Sequence, residues 1–188
     1  MRRKILLILL VLFSFEIFGE EQYINAVWYN TYQINLSSQQ DAKAQIDEHF
    51  RMFSTLGINK VFFLVKNPNG RAYYSSTILK PVILNDFVTN KSSAITWDVL
   101  DYIIKKARQY NMKICPYINI FSEDGYFLDE HPEFAERSKD GTVMRWSSPA
   151  VEDVTNRMIE VAKEIVAKYD VDGIQFDRVR YETIAAGY

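Results

Sequence analysis

Residues 58–66 read INKVFFLVK. Between a polar start and a terminal Lys66, the run Val61–Phe62–Phe63–Leu64–Val65 is apolar without alternation. A strand wet on one face alternates, whereas a parallel strand covered on both faces reads as one continuous apolar run. The segment is therefore expected to be an inner parallel strand. Parallel neighbours need a crossover between them, most often a helix, so helical patterns are expected on either side.

They are present. Upstream, Ala42, Ile46, Phe50, Phe53 and Leu56 recur at three and four, with Ser37 as N-cap, Gln40 completing a capping box, and Gly57 to end the helix. Before them, residues 23–29 (YINAVWY) are β-branched and aromatic, a strand. Downstream, Thr96 is expected to cap a helix with Leu100, Ile103, Ile104, Ala107 and Tyr110 on its buried stripe. Residues 112–121 (MKICPYINIF) form a third strand, with a bulge expected at Pro116 because proline has no ladder donor. Ser148 and Pro149 open a third helix as N-cap and N1, carrying Val151, Val154, Met158, Val161, Ile165 and Tyr169. Residues 171–177 (VDGIQFD) close the series as a fourth strand.

The order is β-α-β-α-β-α-β, an α/β chain with a parallel sheet. A doubly wound sheet and a barrel both fit this order. No GxGxxG or P-loop follows a strand, which removes the usual nucleotide signals. Two long connections, residues 67–93 and 122–147, follow the second and third strands. In a barrel they lie at the carboxyl ends, where sites are built.

Composition narrows the function. Lys+Arg 22 against Asp+Glu 24 is no basic surface for nucleic acid. Cys115 is the one cysteine, so no intramolecular disulfide forms, and its strand context reads as a core thiol. His49 and His131 are far apart and without a Cys partner, so no metal site and no cofactor is expected. At the amino terminus, Arg2, Arg3 and Lys4 precede the apolar run of residues 5–13, with Gly19 before Glu20 and Glu21. That is the layout of a secretory signal peptide over residues 1–19, ahead of a domain over 20–188. An uncleaved anchor is the alternative. Either way the protein is expected outside the cytoplasm, secreted or in the periplasm or envelope, touching membrane only through this segment.

Alternation places the candidate site. In the fourth strand Gln175 and Asp177 share a face opposite Ile174 and Phe176. An ionised carboxylate facing an interior is costly unless paired or used, and the carboxyl end of a barrel strand is where catalytic groups sit. Asp177 is therefore the candidate catalytic residue, the alternative being an ion pair with Arg178, Arg180 or Lys66. Asp172, at the opposite end, reads as structural. In the third strand Cys115, Tyr117, Asn119 and Phe121 share a face, which directs Tyr117 and Asn119 to the same interior. Trp28, Asn30 and Lys66 end the first two strands. Tyr73 and Tyr74 sit in one long loop and Trp146 in the other, each a sugar platform or a loop pin. Glu123 and Asp124 are candidates for a second carboxylate.

Residues 67–76 (NPNGRAYYSS), 97–121, 131–134 (HPEF), 146–150 (WSSPA) and 169–181 (YDVDGIQFDRVRY), in that order, resemble the glycosyl hydrolase-like family 10 proteins, bacterial glycosidases related to the α-amylase superfamily. The resemblance implies a (β/α)₈ TIM barrel acting on glycosidic bonds, a carbohydrate substrate, and Asp177 as nucleophile. Asn119 maps to the third-strand motif and Lys66 to a strand-two basic position where Arg is more usual. Arg178, Cys115 and Glu182 depart from the family pattern, standing where an acid, a His and a Pro are frequent. With four strands of eight, the chain is expected to be a truncated barrel. It would either self-associate or be completed by a missing C-terminal half. A glycan-binding envelope protein and a phosphate-binding α/β protein are the competing readings.

Overall fold

The computed structural model describes residues 23–86 and 91–182. The expected signal segment lies outside them. Four strands, β1 (Ala26–Tyr29), β2 (Lys60–Lys66), β5 (Lys113–Asn119) and β8 (Gln175–Asp177), form one sheet. Its order is β1-β2-β5-β8 and every pairing is parallel. Helices α1 (Gln39–Thr55), α2 (Val99–Gln109) and α4 (Glu152–Lys168) make the crossovers.

This order separates the two architectures that the sequence leaves open. A doubly wound sheet reverses its strand order at a switch point. Here each new strand is added beyond the last, as in a barrel wall. One face of the sheet takes the helices. Val61, Phe63, Val65, Ile114 and Ile118 are buried there with Ile46 and Phe50 of α1, Leu100 and Ile103 of α2, and Val161 and Ile165 of α4. The other face carries Trp28, Phe62, Leu64, Cys115, Tyr117, Asn119, Gln175 and Asp177, as strand alternation requires, while the irregularity after Leu64 sets Lys66 opposite Ile118.

Three local expectations are corrected. The α1 cap is Ser38, whose hydroxyl accepts from the Asp41 amide at 3.2 Å, while the Ser37 amide donates to Asn35. The α2 cap is Asp98, accepting from Asp101 N at 2.9 Å, and not Thr96. There a carboxylate at the positive helix end gains from the dipole as well. Helix α4 starts after Val151 without a side-chain cap; Ser148 and Pro149 belong to the preceding turn, closed by Val151 N to Ser148 O at 3.1 Å.

Pro116 also sits differently from expectation. It pairs in register with Phe63, and the irregularity lies on β2, between Leu64 and Lys66. Ile114 turns its amide to Asp172 on the β8 side. Pro116, two residues on, has its missing donor on that same side, below the point where β8 pairing begins at Tyr117 and Gln175.

Both long connections are structured. Residues 67–98 contain an antiparallel hairpin, β3 (Ile83–Asp86) and β4 (Lys91–Ala94). Residues 122–147 contain a short helix α3 (Tyr126–Glu130) and a second hairpin, β6 (Ala135–Arg137) and β7 (Val143–Ser147). Among the described residues, no helix is long and apolar enough to cross a membrane.

Candidate active site

The site is built at the carboxyl ends of β5 and β8. Asn119 and Asp177 are Cα partners, and Tyr117 and Gln175 are partners one layer below. Residues in register on neighbouring strands direct their side chains to the same face, so these four form a patch on the inner face. Asp177 is exposed, and its Oδ1 accepts from the Arg178 amide at 2.8 Å. Asn119 is 3 % exposed; its Nδ2 donates to Lys66 O at 3.4 Å, while its Oδ1 is buried without a partner. Gln175 Oε1 is likewise buried and unpartnered. An unsatisfied buried acceptor costs roughly 1–3 kcal/mol. Two of them share the sheet face that carries the Asp177 carboxylate. Burial, and then the charge of Asp177, push the Tyr117 hydroxyl up to about 12, so Tyr117 stays a neutral donor at physiological pH.

Arg178 does not neutralise Asp177. Its backbone is left-handed, φ 54°, which turns the chain out of β8 as soon as the strand ends. The guanidinium reaches back to Ser122 Oγ at 3.3 Å and lies 5.7 Å from the Trp146 ring centroid. Arg180 lies over the same ring at 4.9 Å. Trp146, in β7, is 7 % exposed and carries cations rather than offering an open sugar platform. The hairpin thus holds the chain that leaves β8, and Glu136 on β6 adds to this by accepting from the Glu182 amide at 2.9 Å. Sequence reading missed Glu136, since an acid in a three-residue strand gives no periodic signal.

Lys66 and Glu123 are placed elsewhere. Both side chains are fully buried. Lys66 Nζ donates to the carbonyls of Asn119 (2.5 Å), Ile120 and Ser122 (both 3.3 Å), and it pairs with Glu123 at 3.0 Å. Burial lowers the pKa of the ammonium and the Glu123 charge opposes that shift. Glu123 is completed by Arg157 Nη1, at 2.6 and 2.9 Å, and by the Ser147 hydroxyl at 3.1 Å. Gly70 is required here: its φ is +75°, and a Cβ would stand 3.2 Å from Glu123 Oε1. The cluster ties the ends of β2 and β5 to α4 and β7. Lys66 therefore does not face the patch as a substrate contact, and Glu123 is not available as a second carboxyl. Asp124 is ion-paired with Arg145 on the exposed side of the loop.

The tyrosines of the first loop are also structural in position. Tyr74 is buried and donates to Glu164 Oε2 at 3.0 Å; Ser76 Oγ donates to the same oxygen at 2.6 Å, and Thr77 donates N and Oγ1 to Oε1 at 2.6 and 2.7 Å. Burial opposes ionisation of Glu164, but these donors outweigh it and hold the carboxyl down at about 2. Tyr73 is buried in the main core. Trp28 is on the inner face, 58 % exposed and stacked on Phe62 at 5.0 Å, level in register with Cys115 and so well below Asn119. Among the described residues, no group of three or more His, Cys, Asp or Glu is placed to hold a metal ion.

Residues 23–188 match the model of the family described as Glycosyl hydrolase-like 10. The chain belongs to that family. Among curated proteins, this glycosyl hydrolase-like 10 chain is 28 % identical over 146 residues to "Glycosyl hydrolase DigH" of Escherichia coli, covering 67 % of the chain and 32 % of DigH. It is 26 % identical over 157 residues to an S-layer-related protein of Niallia circulans, covering 70 % of the chain and 10 % of that protein. The chain thus spans about a third or less of the length of these relatives. Among solved structures, α-L-fucosidase isoenzyme 2 of Paenibacillus thiaminolyticus superposes with TM-score 0.62 at 20 % identity, covering 86 % of the chain and 24 % of the fucosidase. A maltogenic α-amylase of Thermotoga neapolitana superposes with TM-score 0.56 at 17 % identity, covering 85 % and 40 %. These likenesses show the fold: the four parallel strands and three crossover helices of the glycosyl hydrolase-like 10 chain match part of a TIM barrel.

Proposed function

We propose that this chain contributes the nucleophile-bearing half of a glycoside hydrolase barrel that acts on O-glycosidic bonds of an oligo- or polysaccharide. The observation that carries the reading is the patch of Asp177, Asn119 and Gln175: a carboxylate with one backbone donor, flanked by two buried acceptors without partners. Sugar hydroxyls supply the missing donors, and the ring is thereby held against Asp177. In a retaining reaction Asp177 attacks the anomeric carbon while a second carboxyl, about 5–5.5 Å away, protonates the leaving oxygen. Glu123 and Asp124 are both committed to ion pairs, so the reading assigns the second carboxyl to a residue outside those described here. The basic and apolar start of the sequence supports export, with the mature chain beginning near Glu20 in the periplasm, envelope or medium.

A second reading is a glycan-binding protein without turnover. It is favoured by the same patch, which can bind hydroxyls but has one carboxyl that is not ion-paired. The test uses residues 20–188, alone and joined to any downstream coding sequence, on a panel of oligosaccharides. Turnover by the joined form, abolished by Asp177→Asn, supports the hydrolase. Saturable binding in both forms without turnover supports the binding protein. Turnover that survives Asp177→Asn overturns the assignment of the nucleophile.

A further inference from the structure

The end of the sheet opposite Asp177 carries an arrangement that the hydrolase reading leaves unused. Lys60 and Lys113 are Cα partners on β2 and β5, so their side chains leave the same face side by side. That face is the inner one: Lys60 Nζ lies 5.0 Å from the centroid of Phe62. Like charges directly opposite on neighbouring strands are destabilising, and the acids nearest this end also hold other partners. Asp172 feels the charge of Lys113, but its Oδ2 is engaged by Arg108 at 2.7 Å and by the Ile114 amide at 2.7 Å. Asp170 is engaged by the same arginine at 3.1 Å.

At this end is a cavity of about 130 Å³, lined by Ile24, Asn59, Lys60, Asn111 and Lys113. A cavity of this kind needs roughly 10–15 Å³ to hold one water, so it has room for a tetrahedral oxyanion and part of its hydration. None of the five lining residues is acidic. Asn59 is fixed, its Oδ1 accepting from Asn25 N at 3.0 Å and its Nδ2 donating to Tyr23 O at 2.6 Å. Asn111, after α2 in the left-handed region with φ 55°, also lines the cavity and carries a third donor group.

We propose that the amino-terminal end of the sheet is a second binding site, for a small oxyanion such as a phosphate, sulfate or carboxylate group, held by Lys60, Lys113 and Asn111. An oxyanion between the ammonium groups replaces their repulsion with two charge-assisted hydrogen bonds. The site is independent of the hydrolase reading, since no residue is shared. The anion comes either as a free ion or as a group on an anionic polymer. The test is a ¹⁵N NMR titration of the chain with inorganic phosphate, against sodium chloride at matched ionic strength. Saturable shifts at Lys60, Asn111 and Lys113 are expected, and at least a tenfold loss of affinity in the Lys60→Met, Lys113→Met double variant. Long-chain polyphosphate separates the sources: tighter binding per phosphate supports a polymer-borne group, and equal binding supports a free ion. Shifts that chloride reproduces, or that never saturate, overturn the proposal on the wild-type chain alone. Unchanged phosphate affinity in the double variant overturns it too.

Discussion

Glu123 and Asp177 are carboxylates just past or at the ends of neighbouring strands, and they have opposite surroundings. Glu123 is sealed, with Lys66, Arg157 and Ser147 on its two oxygens. Asp177 is exposed, accepts from the amide of its own neighbour, and stands beside acceptors that lack donors. The difference shows how to separate structure from chemistry in a barrel end. A carboxylate whose lone pairs are all answered from within the fold has nothing left to offer a ligand. One whose surroundings are short of donors keeps that capacity.

The largest effect is expected from breaking the sealed side. Glu123→Ala leaves the Lys66 ammonium buried and without its counter-ion, and loss of one partner of a buried pair costs about 3–5 kcal/mol. Chemical denaturation should show that loss; a change under about 1 kcal/mol would mean that the cluster does not bear on the fold. Glu164 gives an intermediate case with a pH signature. Its carboxyl is held at about 2 against an ordinary 4.5. A depressed folded-state pKa contributes stability above the unfolded value, and that contribution is lost as pH falls from about 4.5 towards 2. Glu164→Gln should cost about 1.5–3 kcal/mol at neutral pH, the scale of hydrogen bonds to a charged group. Its stability should then fall less than the wild type's across that acid range, and parallel acid curves would remove the assignment.

On the open side the order reverses, with little effect on stability and a large one on chemistry. Asp177→Asn should change stability by no more than about 0.5 kcal/mol, as for exposed substitutions away from special features. In an active joined form it should lower kcat on the order of 10⁶-fold, as loss of a nucleophile does. A large stability loss without a kinetic one would place Asp177 with Glu123. The smallest expected effect is at Arg178. Arg178→Gly relieves a left-handed non-glycine residue but removes the reach to Ser122 and Trp146. The net change should lie within about 1 kcal/mol. If Arg178 also holds Asp177 in place, KM should stay and kcat should fall in the joined form.

Much of the frame is legible in the sequence because it is periodic. The apolar run of residues 58–66 and the alternation in residues 171–177 yield the strands and the face on which Asp177 stands. Spacing at three and four yields the helix stripes. Ser38 and Asp98 were missed as caps since two polar residues in succession compete for each position, and only backbone geometry chooses. The β4 hairpin strand reads KSSA and is exposed, so no hydrophobic pattern marks it. The Lys66–Glu123–Arg157 cluster is invisible for another reason: it joins residues far apart in sequence through charges that each look like ordinary surface residues. For the same reason Tyr74 reads as a sugar contact until its partner, Glu164, is seen ninety residues on.

The sequential strand order also has a temporal consequence. Ala26 finds Lys60, Lys60 finds Lys113, and Tyr117 finds Gln175, so every strand docks on the one made just before it. No strand waits for a later one to be inserted between it and its neighbour. Closing each loop then costs little more than the last, about 0.6 kcal/mol per doubling of length. A chain that emerges amino end first, from a ribosome or through a membrane channel, can therefore lay down its sheet in the order in which it appears. Asp177 is the last residue of that sheet to find its place.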